Sequence, residues 1–167
     1  MKKTGSYKRI LLVLTIALLL WGLWPIKTLV LNDGEGHPLM FIPVEEGQEM
    51  VYTSIHSVSN TPLEETLVVV DGGFEAVKVR FKDQSGAGLP EYTYNDSDFY
   101  TEDGWLVIEG FNRSYESLSF RVNQLYDNRL KVNGSQILLY NLVGGNKGEV
   151  GMTIAAKSRW RTMSTKK

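Results

Sequence analysis

Hydrophobic positions along the chain fall into two regimes that meet near residue 27. Between Arg9 and Lys27 runs a stretch of seventeen uncharged residues, ILLVLTIALLLWGLWPI, fourteen of them apolar. No charge interrupts it on any helical face, which argues against an amphipathic core helix. As a helix rising ~1.5 Å per residue it would span roughly 25 Å, at the short end for a hydrocarbon core of about 30 Å. Trp21 and Trp24 stand at its far end, where amphipathic rings favour the headgroup layer. Lys2, Lys3, Lys8 and Arg9 precede it, so the positive-inside rule keeps residues 1–9 cytoplasmic and sends the rest outside. A cleaved signal peptide would show small residues in an A-x-A-like site. Here the run ends in bulky Trp21-Gly22-Leu23-Trp24-Pro25-Ile26. The pattern predicts a single-pass transmembrane signal anchor over 10–26 in the cell membrane, with cleavage as the alternative.

After Lys27 the pattern changes to short apolar alternations separated by dense turn signals. These fall at Asn32-Asp33-Gly34, Glu46-Gly47, Asn60-Thr61-Pro62, Asp71-Gly72-Gly73, Asp103-Gly104, Asp127-Asn128, Asn133-Gly134 and Gly144-Gly145-Asn146. Many neighbouring signals lie about ten residues apart, with β-branched and aromatic residues between, as in an all-β sandwich or barrel. Strands are predicted at about 27–31, 38–42, 49–58, 63–70, 74–82, 105–109, 117–123, 129–132, 136–140 and 149–157. Asn133-Gly134 reads as a tight hairpin turn needing φ > 0. The stretch 83–104 reads as a long loop, and long loops are often functional. Gly144-Gly145-Asn146-Lys147-Gly148 reads as a hairpin turn and not a phosphate cradle, because the lysine-serine/threonine ending is absent. The expectation is one exported antiparallel β-sandwich over 27–157, or a partly closed β-barrel, followed by a basic flexible tail at 158–167.

Charge and composition narrow the function. The chain holds 18 Lys+Arg against 19 Asp+Glu. The bases concentrate at the two ends, leaving an acidic middle, which excludes a nucleic-acid binder with a basic working surface. A hydrophobic fraction of 43% argues against disorder. With no cysteine, disulfides, thiolate metal sites and a cysteine nucleophile are excluded. Asp96-Ser97-Asp98 with Glu102 and Asp103 lacks the glycine and spacing of a calcium loop, so no metal and no cofactor are expected.

Only two histidines exist, His37 and His56. If the hairpin turns at Asn60-Thr61-Pro62, a register pairing residues whose numbers sum to 121 sets His56 opposite Glu65. Glu65 shares a strand face with Leu63, Leu67 and Val69, where an unpaired carboxylate costs several kcal/mol by order of magnitude. On the next strand Val77, Val79 and Phe81 should face the core. Lys78, Arg80 and Lys82 should form an outward basic stripe with Glu64 near Arg80. His56 and Glu65 then either line a small-molecule pocket, with His56 a donor to an anion or a general base, or form a buried lock that fixes the hairpin register. Ser57 is adjacent to His56 and points to the opposite face, which disfavours a serine triad.

His56-Ser57-Val58, Thr61-Pro62-Leu63 and Glu65, followed by Gly86-Ala87-Gly88-Leu89-Pro90 and Asp103-Gly104-Trp105, resemble domain of unknown function 1850 over roughly residues 28–157. The resemblance implies small exported proteins with an N-terminal apolar segment, often encoded beside TAXI-type TRAP transporters that import organic anions. It marks His56, Ser57, Pro62, Glu65, Gly86, Gly88 and Pro90 as a ligand- or partner-binding site. It implies no catalytic residue, because the family has no established activity. The expected function is a membrane-anchored extracytoplasmic accessory or binding domain. Its expected partners are a TRAP/TAXI permease or solute-binding protein, or a small organic anion. A small hydrolase using His56 and Glu65 is the alternative.

Overall fold

The computed structural model describes residues 6–56, 60–82, 98–145 and 147–163. Helix α1 (Ser6–Leu23) leads into eleven strands. They are β1 (Pro25–Asp33), β2 (Pro38–Pro43), β3 (Glu49–Ile55), β4 (Pro62–Val70), β5 (Gly73–Lys82), β6 (Asp98–Glu102), β7 (Trp105–Tyr115), β8 (Ser117–Val122), β9 (Arg129–Val132), β10 (Ser135–Leu138) and β11 (Gly148–Ser158). Helix α2 (Leu139–Leu142) precedes β11, and α3 (Arg159–Met163) follows it. All ten predicted strands form. The eleventh, β6, falls inside the stretch read as loop and pairs with β7 around Asp103-Gly104, both in the left-handed region. Gly144-Gly145 does not join two strands but links α2 to β11.

The strands make two antiparallel sheets, one of order β2-β1-β11-β8 and one of order β10-β9-β3-β4-β5-β7-β6. Among the described residues each sheet keeps two free ends, so the partly closed barrel is not formed. The sheets face each other across one apolar cluster. Leu29, Leu31, Val122, Val150 and Met152 come from the smaller sheet; Met50, Leu67, Val69, Phe74 and Leu130 come from the larger. Burying each such side chain contributes about 1.5–3 kcal/mol. The rings of Tyr52 on β3 and Phe120 on β8 stack across the gap, centroids 4.1 Å apart. A second cluster (Val79, Phe81 and Ile108, with Leu63, Leu106 and Phe111 against it) is drawn wholly from β4, β5 and β7 of the larger sheet.

A bulge in β5 explains why both clusters lie on one face. Leu67 pairs with Ala76 but Thr66 with Lys78, leaving Val77 as the extra residue. Phe74 and Ala76 therefore point inward at even positions, and Val79 and Phe81 at odd ones. Val77, expected in the core, is instead the bulged residue and only half-buried. At the start of β5, a Cβ on Gly73 would overlap the backbone oxygen of Tyr115, so glycine permits the close approach of β7.

The termini depart from expectation. The helix begins at Ser6 and stops at Leu23, because Pro25 disfavours a helical Trp24. Its first turn contains Lys8 and Arg9, so the apolar part runs from Ile10 to Leu23, roughly 21 Å at the helical rise. Among the described residues no helix is long and apolar enough to cross a membrane. The anchor expected over 10–26 is thus shortened, and Pro25 and Ile26 already belong to β1. Of the tail expected over 158–167, Ser158 ends β11 and Arg159–Met163 form α3, which packs against α1, β1, β2 and β11 and buries Thr162.

Candidate functional site

The β3–β4 hairpin carries a line of polar side chains along its inner face. Its register pairs residues whose numbers sum to 117, from Glu49↔Val68 to Ile55↔Pro62. The expected sum of 121 is overturned. Asn60 takes φ +55° and closes the loop early, so Thr61 and Pro62 are already in or beside the ladder. His56 N–H donates to Thr61 O at 2.8 Å, and Asn60 N–H donates to His56 O at 2.9 Å. Pro62 sits at the first position of its strand, where its missing N–H is tolerated. Because the slip is four residues, faces are conserved while partners change. His56 shares the inner face with Glu65, but Glu65 stands opposite Tyr52. His56 lies four residues beyond Tyr52, just past the end of β3, about 13 Å away by strand rise. The His56–Glu65 pair, and with it the base pair of a hydrolase, loses its cross-strand geometry.

Glu65 occupies the junction of the two apolar clusters, opposite Tyr52 on one side and Val79 on the other. It is half-buried, and no ion pair to it forms among the described residues. Burial pushes its carboxyl pKa up from the ordinary 4.5. Tyr52 is also raised, first by burial; hydrogen bonds with Asn128 and Ser54 work against that, and the Glu65 charge adds to it. Asn128, 2% exposed, donates its Nδ2 to Tyr52 Oη at 2.7 Å. Its Oδ1 accepts from Asn123 N–H at 3.0 Å, so the amide is fixed in orientation. The chain reaches this point through a 3-10 turn, Gln124–Tyr126, capped by the Asn123 side chain. The result is a row of hydrogen-bonding groups (Tyr52, Ser54, Glu65) set beside an apolar wall, with His56 and Thr61 at the loop end of the same face. Burial disfavours ionisation of both acids, which biases the site toward O–H donors, the groups suited to an anionic oxygen.

The outer face matches its expectation. Arg80 binds Glu64 at 2.6 Å, and Lys78 pairs with Glu109 at 3.3 Å. The Trp105 ring lies beneath both Arg80 and Lys82, at 4.7 and 4.9 Å. Of the sequence-derived site residues, His56, Pro62 and Glu65 lie on the β3–β4 hairpin but are not brought together: His56 and Pro62 stand at its loop end, and Glu65 stands opposite Tyr52 further along. Ser57, Gly86, Gly88 and Pro90 lie outside the described residues. Tyr52 and Asn128 were not foreseen: Tyr52 could have been found from its place between Met50 and Ser54 on the inner face, whereas Asn128 read only as a turn residue. Among the described residues no three His, Asp or Glu side chains gather as a metal site.

Residues 50–139 match the family described as domain of unknown function (DUF1850). The chain belongs to this family. The matched span contains nearly all of the seven-stranded sheet and the hairpin with Glu65, whereas α1, β1, β2 and β11 fall outside it. No curated protein and no solved structure matches the chain.

Proposed function

We propose that this DUF1850 protein is a membrane-tethered extracytoplasmic binding domain that takes a small organic anion, or the carboxylate of a partner, at the Glu65 rung of its larger sheet. The observation that carries the reading is the half-buried Glu65 carboxyl, unpaired by any cation among the described residues and held toward its neutral form by burial. A protonated carboxyl donates a strong hydrogen bond to a carboxylate, and the Tyr52–Ser54 hydroxyl pair leaves one further O–H to extend the donor set. The wall formed by Leu63, Val79 and Phe81 suits the carbon skeleton of such a ligand.

The tether is α1. Its apolar side chains stand exposed on every side, from 46% at Trp21 to 64% at Leu11, a burden that water does not relieve but a bilayer does. The shortfall against a hydrocarbon core of about 30 Å is met by local thinning, with Lys8 and Arg9 snorkelling at one end and Trp21 and Trp24 in the headgroup layer at the other. The family resemblance supplies the biological setting, an accessory role beside a TRAP-type organic-anion uptake system.

Pull-down of tagged full-length protein from gently solubilised native membranes tests this reading. We expect a TRAP permease or its solute-binding protein to co-purify, and to be lost in a folded Glu65→Ala variant. Equal recovery with Glu65→Ala would remove the site; recovery of the protein alone would remove the transporter partner and leave the small anion.

A further inference from the structure

Away from the Glu65 hairpin, a cavity of about 880 Å³ opens at the foot of α1, between β2, the β9–β10 hairpin and α3. Its wall is largely apolar, with Ile26, Met40, Ile42, Val132, Ile137 and Met163 among the lining residues. Among the described residues Arg159 is the one charged side chain on that lining. The guanidinium stands over the Trp21 ring at 4.8 Å, and its Nε is buried without a hydrogen-bond partner among the described residues. Two neighbouring polar side chains, Thr162 and Asn133, are committed elsewhere. Thr162 Oγ1 donates to the backbone oxygen of Arg159, and Asn133 donates to Pro43 O while accepting from Gln48. A second cavity of about 990 Å³ adjoins the first, sharing Ile26, Pro43, Asn133 and Arg159.

A buried guanidinium N–H left without an acceptor is costly, and phosphate oxygens are the acceptors its planar fork fits best. Cavities of several hundred Å³ with an apolar wall and one convergent polar group are the usual form of a small-ligand site. This one lies where the exposed apolar helix meets the sandwich. We infer that the cavity holds a membrane glycerophospholipid, its phosphate on Arg159 and one acyl chain along the apolar wall, pinning the sandwich to the bilayer surface. The inference rests on the proposed insertion of α1, because that insertion brings Arg159 to headgroup level.

Native mass spectrometry of the full-length protein in a non-phosphate detergent, titrated with phosphatidylglycerol, tests it. One tightly held lipid per chain is expected. Arg159→Gln should weaken retention at least about tenfold, the loss of one charge-assisted hydrogen bond. Diacylglycerol with the same acyl chains should bind the native protein at least about tenfold more weakly, for the same reason. Met163→Trp, which fills the cavity and leaves Arg159 in place, should also displace the lipid. Unchanged retention in both variants, each shown folded by its thermal midpoint, would overturn the inference, as would equal binding of diacylglycerol. Carbonate extraction of membranes reads α1 separately. A protein that stays in the pellet yet holds no lipid at Arg159 refutes the lipid site alone. One that leaves the pellet refutes the tether.

Discussion

At the scale of single residues, Glu65 gives stability a pH dependence. In strong acid it carries its proton whether the chain is folded or not, and the site contributes no pH dependence. As the pH rises past the ordinary carboxyl value, the unfolded chain releases that proton first. The folded chain then binds more protons, so stability falls with rising pH until the raised native pKa is also passed. Glu65→Gln keeps the shape and removes the titration. Its thermal midpoint should equal the native one near about pH 4 and exceed it near about pH 8. A gap that does not widen between the two would show that burial does not perturb the carboxyl. That Glu65 faces inward was legible from its company of Leu63, Leu67 and Val69 on alternate positions. Its partner was not, since the partner depends on how the chain turns between His56 and Thr61. Nor was the Asn128–Tyr52 bond, which joins residues 76 positions apart.

At the scale of elements, local turn chemistry was the readable part. Asn133 and Gly134 adopt φ of 52° and 70°, the pair that a two-residue hairpin between β9 and β10 requires. Asn133 has a second role, since its amide ties this hairpin to Pro43 O and to Gln48. Two substitutions separate the roles. Asn133→Gly keeps the left-handed backbone and loses the two tertiary bonds. Asn133→Ala loses both and adds strain of about 1–2 kcal/mol. Urea midpoints should therefore fall in the order native, Gly, Ala; an alanine variant as stable as the glycine one would show that the turn conformation is unimportant there. Two features of the same sheet escaped sequence reading. Strand β6 has the exposed, mixed pattern of an edge and is recognisable only by its pairing with β7. The β5 bulge leaves no mark in a run of alternating residues, yet it reverses which of them face inward after Ala76.

At the scale of the whole molecule, the sandwich and the helix are separable. Helix α1 contributes no strand, and its packing is centred on α3, where Trp160 lies against Gly22. Residues 25–167 alone should keep a thermal midpoint within a few degrees of the full chain and pass from the membrane pellet to the soluble fraction. A collapse in stability would mean that α1 helps hold the smaller sheet, and continued sedimentation would mean that something other than α1 binds the membrane. The sequence by itself determined the properties carried by neighbours along the chain. These are an apolar helix with basic residues before it, strand segments read from alternation, turns read from Asn, Asp and Gly, and the inward face of Glu65. The tertiary structure alone decided which residues distant along the chain became partners. It set the rung on which Glu65 sits, brought Asn128 to Tyr52, built the second sheet from β1, β2, β8 and β11, and placed Arg159 beneath Trp21. Alternation repeats every two residues, so it fixes a side chain's face but is indifferent to a slip of two or four. Loop closure, bulges and packing between sheets remove that indifference, and they act only in the folded chain.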